Sequence, residues 1–220
     1  QMIPDTSVYF EMYYATARAA VVGWLHFTTD TQFYTTSHLA YKQGADGISL
    51  FNFVYYRAFA GVEPPFEVLR HLKKPDWVAN QHHIYFVDSM DPQYQGYPPI
   101  AELLPRTLAV GDQLRFRLRM APTKHHKKNG IFRVLYSGDK GDFSITFNDK
   151  TLNSIAVNEP PEFMYKEEFV QGYHKTGQWA YFECPRAIVN NGCNQFYIKL
   201  DEGGPVRVVY FDLKLPSSVE

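Results

Sequence analysis

Between positions 114 and 120 every second residue is apolar and every residue between is arginine: Leu114, Phe116, Leu118 and Met120 alternate with Arg115, Arg117 and Arg119. A period of two is the pleat of a strand with one face in a core and the other in water, an arrangement that antiparallel sheets allow and all-parallel sheets do not. Further strand-like runs follow at 132–136, 143–147, 179–183, 195–200 and 206–215, with Gly and Asn at the turns between them. Short strands at regular spacing predict an antiparallel β-sandwich.

The chain before this region follows another rhythm. Residues 7–12 read as a short buried strand whose charge, Glu11, arrives where the strand should end. Thr29 or Asp30 can cap a helix running to Lys42 and stopped by Gly44. Asp46 most simply shapes the Ala45-Asp46-Gly47 turn into 48–53, an almost continuous apolar run of the kind buried in parallel sheets. Pro64 and Pro65 open a second helix, 66–72, closed before Pro75. Strand, helix, strand, helix is the unit of a parallel α/β architecture. The fold expected is therefore mixed but mostly β: terminal strand-helix units of an incomplete β/α barrel over 1–90, then the sandwich over 91–220, with Asp91-Pro92, Gly96 and Pro98-Pro99 in the connection. Two units cannot cover a parallel sheet, and a β/α barrel needs eight strands and typically about 250 residues. An upstream barrel segment, or a second copy of the chain, is the partner this requires; the start at Gln1 reads as truncated or processed.

Composition narrows the function classes. A net charge of −1 supplies no field toward nucleic acid or an anionic membrane, so neither is expected as a partner. The longest apolar stretch, from Ala19 to Leu25, is far short of the roughly 20 residues that span a bilayer. No basic segment followed by an apolar run marks an N-terminal signal. Cys184 and Cys193 match no metal-ligand spacing; near the ends of what read as adjacent strands, they are two free thiols or one bridge. His82-His83 point to opposite faces of a strand and cannot grip one ion together. The run from Thr123 to Lys128, bounded by Pro122 and Asn129-Gly130, reads as a solvated basic loop. No phosphate loop, nucleophile elbow or Cys-His pairing is present, and no metal or soluble cofactor is implied.

From Gln32 to Tyr41, and on through Gly44-Ala45-Asp46-Gly47-Ile48-Ser49-Leu50-Phe51-Asn52-Phe53, the sequence resembles bacterial glycoside-hydrolase-like barrel proteins. The match continues through Pro65 to Leu72, Trp77 and His83 to Val87, which resemble that family's closing helix and exit strand, and covers about the first 90 residues. The later part is similar to the jelly-roll sandwiches, carbohydrate-binding-module-like, appended to such barrels. The segment Phe147-Asn148-Asp149-Lys150-Thr151-Leu152 carries this likeness, with Asp149 where Gly is more usual, as does Gly192 to Leu200. Asn and Asp tolerate the positive φ such a turn requires.

The resemblance implies a carbohydrate partner, a hydrolase working outside the cell, either secreted or periplasmic, and a site at the C-terminal rim of the barrel strands. If 48–52 is the eighth strand, 8–11 is the seventh. In retaining barrel glycosidases the carboxylate after strand seven is the nucleophile, about 5 Å from a second carboxyl that protonates the leaving oxygen. On this footing Glu11 is the catalytic candidate and Asn52 holds a substrate hydroxyl, the proton donor lying upstream of Gln1. Two other roles stay open for Glu11: contact with the sugar without catalysis, or an ion pair with Arg18 or Arg57. Trp24, Tyr13 and Tyr55, with Tyr14 and Tyr56, fall in the flanking loops and suit either stacking on sugar faces or loop packing; Arg57 joins the substrate-binding candidates. The rival function is a non-catalytic carbohydrate-binding or structural β-sandwich protein.

Overall fold

The computed structural model describes residues 9–13, 29–51, 66–87, 104–158 and 177–218. The described chain is mostly β, and its two larger sheets are antiparallel.

Strands β1 (Tyr9–Tyr13) and β2 (Gly47–Phe51) form a separate parallel pair. Helix α1 (Asp30–Lys42) lies between them in the chain. Its start is fixed as the sequence suggests: Thr29 is the N-cap, its hydroxyl accepts from the Gln32 amide at 3.3 Å, and Gln32 Oε1 accepts from the Thr29 N–H at 2.8 Å. This capping box satisfies two backbone donors that a helix start otherwise leaves open. Helices α2 (Phe66–Leu72) and α3 (Pro75–Ala79) pack on α1, where the Tyr41 hydroxyl donates to Leu72 O at 2.7 Å and Tyr34 meets Trp77 edge to face. The proline expected only to close α2 instead opens α3, because a first-turn proline has no helical N–H to lose.

Strand β3 (His83–Val87) then enters a six-stranded sheet of order β3-β12-β6-β10-β9, in which β4 (Arg106–Leu108) also pairs with β12 (Val206–Leu215). The remaining members are β6 (Gly130–Gly138), β9 (Asn153–Ser154) and β10 (Gln178–Cys184). A second sheet has the order β5-β11-β7-β8, from β5 (Gln113–Met120), β7 (Gly141–Phe147), β8 (Lys150–Thr151) and β11 (Gly192–Gly203). A division at residue 90 does not separate the sheets: β3 lies on its N-terminal side and is hydrogen-bonded to β12. Likeness to an exit strand could not reveal that pairing, which joins residues more than a hundred positions apart.

The two sheets close over one aromatic core. Phe116, Phe147 and Phe196 from the four-stranded sheet meet Phe132 and Phe211 from the six-stranded sheet, with Phe116 and Phe211 centroids 4.6 Å apart and Phe196 and Phe211 4.9 Å apart. All five rings are buried, each stabilising the fold by about 1.5–3 kcal/mol over an exposed side chain. The alternation in β5 appears as expected: Phe116 and Met120 are buried and the three arginines exposed. The β7–β8 turn likewise uses positive φ at Asn148 (45°) and Asp149 (63°).

Strands β6 and β12 are buried along nearly their whole length, on the face turned away from the aromatic core as well, and helix α1 reaches that outer face at Tyr210 and along β3. Gln32 Nε2 donates to the Tyr210 hydroxyl at 3.2 Å, and the Ile84 N–H donates to Thr35 Oγ1 at 2.7 Å. Tyr210 donates in turn to Asp212 Oδ2 at 2.7 Å, and Arg133, the register partner of Asp212, grips the carboxylate with Nε at 2.7 Å and a terminal nitrogen at 2.6 Å. Burial works against the Arg133 charge, but the adjacent carboxylate more than offsets it and the guanidinium is held above its ordinary range.

Asp212→Ala leaves that guanidinium buried without its counter-charge. Urea unfolding is expected to show a loss of about 3–5 kcal/mol, most of it recovered in the apolar double variant Arg133→Met, Asp212→Leu. A loss in Asp212→Ala below about 1 kcal/mol would mean that water reaches the pair.

Candidate functional site

The rim expected to carry chemistry rests on how β1 and β2 lie together. They are neighbours, parallel and in register, with Glu11 opposite Ser49 and Tyr13 opposite Phe51. The pleat sets positions 9, 11 and 13 on one face with 47, 49 and 51. Ser49 on that face is exposed, whereas its neighbours Ile48 and Leu50 are half-buried. The strand runs past Glu11 and ends at Tyr13, so Glu11 is central in β1 rather than its terminal residue, and Tyr13 takes the end position. Asn52, Trp24, Tyr14, Tyr55, Tyr56, Arg18 and Arg57 lie outside the described residues, as do the 19–25 stretch and the connection between Asp91 and Pro99.

The densest polar cluster among the described residues lies where the helices meet the sandwich. His38 on α1, His83 on β3 and His126 in the β5–β6 connection stack in a row, with centroids 4.7 Å and 4.4 Å apart. All three are buried, His126 at 2% exposure, although the loop that carries it is solvated as expected at Lys124, Lys127 and Lys128. His126 alone among these loop residues is buried, because it bridges two backbone segments: its Nε2 lies 3.0 Å from Gln81 O, and its Nδ1 accepts from the Thr123 N–H at 2.9 Å. His82, by contrast, is exposed and uses Nδ1 to accept from the Ser217 N–H.

The partners fix the protonation of the row. A carbonyl only accepts, so Nε2 carries the proton in His38 toward Ala121 O, in His83 toward Val78 O and in His126 toward Gln81 O. In His83 and His126 the Nδ1 lone pair is also engaged, by the Tyr85 hydroxyl at 3.1 Å and by Thr123. A metal would need that lone pair, and among the described residues no His, Cys, Asp and Glu group is arranged to hold an ion. Burial pushes all three rings down, His83 to about 3 and His126 to about 4, with smaller contributions from Lys42 at His38, from neighbouring histidines at His83 and His126, and from Arg186 at His126. The row is a joint held together by neutral imidazoles.

Cys184 and Cys193 are free, one buried and one exposed. Their strands, β10 and β11, belong to different sheets rather than being neighbours, which corrects the reading of adjacency that a bridge required. Burial pushes the Cys184 thiol up to about 12 and leaves it inert as a nucleophile. Among the described residues no helix is long and apolar enough to cross a membrane.

Sequence reasoning passed over Gln195 and Tyr197 on β11, which stand beside the arginines of β5 on its wet face. Arg115 donates to Gln195 Oε1 at 2.8 Å, and the Gln195 side-chain amide donates to the Tyr197 hydroxyl. The same period-two count that found the arginines places both residues on that face.

No protein-family model matches the chain, and no curated protein does. Among solved structures, the chain is similar to a β-porphyranase of glycoside hydrolase family 86 from the human gut bacterium Bacteroides plebeius, at 13% identity and a TM-score of 0.35, over 62% of this chain and 20% of that one. It is also similar to the protein BuGH86 in complex with neoagarooctaose, at 14% identity and a TM-score of 0.34, over 60% and 19%. An insecticidal delta-endotoxin, Cry8Ea1 from Bacillus thuringiensis, aligns equally well, at 14% and 0.34 over 51% and 19%. The chain spans about a fifth of the length of these structures, and alignments this loose carry no argument about function.

The histidine joint has a consequence for stability. In the unfolded chain each ring titrates near 6.5, above its folded value, so the unfolded state binds more protons as pH falls. Stability is expected to be level above about pH 6.5 and to fall below it by about 1.4 kcal/mol per pH unit for each participating ring. That contribution ends near 4 for His126 and near 3 for His83. Denaturant unfolding between pH 7.5 and 4.5 reads this directly, and a level profile across that window would show that the rings are open to solvent.

Proposed function

We propose that the chain is the C-terminal part of a carbohydrate-active protein, a glycoside hydrolase whose β/α barrel contributes the catalytic rim and whose jelly-roll sandwich, which takes in strand β3, is accessory. The observation that carries this reading is the parallel register of β1 and β2 on either side of helix α1, followed in the chain by an antiparallel sandwich. A strand, a helix and a parallel neighbouring strand form the repeating unit of a β/α barrel, whose chemistry is built at the C-terminal ends of the strands.

In this reading Glu11 is the carboxylate that attacks the anomeric carbon. Asn52, one position beyond the end of β2, orients a hydroxyl of the sugar, and Tyr13, Trp24, Tyr55 and Arg57 line its path. The second carboxyl, which protonates the leaving oxygen, comes from a strand outside this sequence, and a separation of about 5 Å between the two would give retention of configuration. The substrate is an oligo- or polysaccharide met outside the cell.

Glu11→Gln keeps the shape and removes the nucleophile. In the intact protein it is expected to lower turnover of a bound glycan by at least about a thousandfold with KM little changed, since the lost interaction forms only in the transition state. The glycan is first identified by probing an array with the chain. Turnover unaffected by Glu11→Gln removes the catalytic role, and a chain that binds no glycan, in a protein that releases no reducing ends, removes the whole reading.

A further inference from the structure

The exposed face of the four-stranded sheet carries an ordered row of guanidinium groups. Arg115, Arg117 and Arg119 occupy alternate positions of β5 and are all exposed, set roughly 7 Å apart along the strand, so that the row spans about 14 Å. Opposite them on β11 stand Tyr197, Gln195 and Cys193 in register, with Thr146 of β7 beyond Tyr197. The Arg115–Gln195–Tyr197 chain of hydrogen bonds holds the end guanidinium in place before any ligand arrives.

Among the described residues, charge balance on this face favours an anion. Asp201 lies on it, but its carboxylate is already bound by Lys199 at 2.7 Å and by Ser144. The register partners Asp142 and Glu202 sit at the far end of the sheet, away from the arginines. β5 is an edge strand, and edge strands use charge to block unwanted pairing, most often as lysine. Three arginines on one face, one of them braced, offer planar forks that match the oxygens of sulfate and carboxylate groups.

We propose that this face binds a linear anionic polysaccharide, one bearing sulfate or carboxylate groups, along β5. The inference rests on the carbohydrate reading above and adds the class of sugar that the sandwich meets. Single-stranded nucleic acid fits less well: it needs successive aromatic platforms, and Tyr197 is the one aromatic among the described outward positions of these strands. Tyr197 instead presents one ring face with the Gln195 amide and the Thr146 hydroxyl beside it, suited to a single sugar unit between charged neighbours.

The test is affinity electrophoresis of the whole chain through gels containing dextran sulfate, neutral dextran or polyglutamate, with a single-stranded DNA shift alongside. Dextran sulfate is expected to retard the chain in a salt-sensitive way and neutral dextran much less. The triple variant R115Q/R117Q/R119Q is expected to raise the Kd for dextran sulfate at least tenfold with its thermal midpoint unchanged. Lysine at all three positions should restore only part of the affinity, because the charge returns without the fork. Single glutamine replacements, each outside the core, give partial losses and serve if the triple variant unfolds. Retardation that is absent, or indifferent to the arginines, overturns the proposal; so does equal binding of polyglutamate or DNA, which would mark a general polyanion surface. Glu11→Gln should leave this binding untouched, so the rim reading and the sandwich reading fail separately.

Discussion

The Asp212 carboxylate is the point through which the layers of this protein are fixed to one another. It sits at the middle of β12, wholly buried, and takes hydrogen bonds from two nitrogens of Arg133 and from the Tyr210 hydroxyl. Gln32 adds the last link, since the amide whose oxygen caps helix α1 gives its nitrogen to Tyr210. Helix start, central strand and neighbouring strand are thereby held in one hydrogen-bonded chain. A buried ion pair adds little net stability against an apolar replacement of the same shape, so the Coulomb energy is not its main effect. What it supplies is register: slipping β12 by one residue against β6 would turn Asp212 toward the phenylalanine core, where no donor waits.

Strand β3 extends the same logic. It follows the helices in the chain and pairs with β12, so the helical layer and the sandwich share a sheet rather than meeting across a linker. The histidine row reinforces the seam, with α1 reaching Ala121 through His38, β3 reaching Val78 through His83, and the β5–β6 connection reaching Gln81 through His126. Each ring donates to a main-chain carbonyl that would otherwise need water where little can enter. The polar density at this seam is thus accounted for by backbone satisfaction, and the chemistry of the protein has to be sought elsewhere, at strand ends and on wet faces.

Local signals in the sequence were legible where the physics is local. The Thr29 cap, the 66–72 helix, the alternation in β5, the 206–215 strand and the Asn148-Asp149 turn each depend on residues within a few positions of one another, and each appears in the structure. What escaped depends on distant partners. A charge in a strand reads as a wet face, and only the presence of Arg133 across the register makes Asp212 a buried residue. In a basic loop that is solvated at its three lysines, the burial of His126 depends on the distant carbonyl of Gln81 beneath it. Cys184 and Cys193 stand close in sequence yet in different sheets, because the chain crosses the core between β10 and β11. Of the proposed rim, only the parallel adjacency of β1, which bears Glu11 and Tyr13, with β2 comes into view. The wet arginines of β5 were plain in the sequence as a pattern, but their bracing by Gln195 required the β5–β11 register.

The two sheets of the sandwich therefore divide their labour by what each outer face must do. The six-stranded sheet turns its outer face toward helix α1 and holds there Tyr210, Arg133 and Asp212, buried groups bound to one another and to Gln32. A ligand could reach them only by displacing hydrogen bonds that the fold needs. On the four-stranded sheet the arginines of β5 are exposed, and the hydrogen bond from Arg115 to Gln195 uses one of that guanidinium's five donors. The core-facing halves of both sheets are alike, rings packed on rings; the asymmetry lies wholly in the outer faces. The recognition proposed for the sandwich is accordingly assigned to the four-stranded sheet, whose outer arginines are exposed and not spent on holding the helical layer.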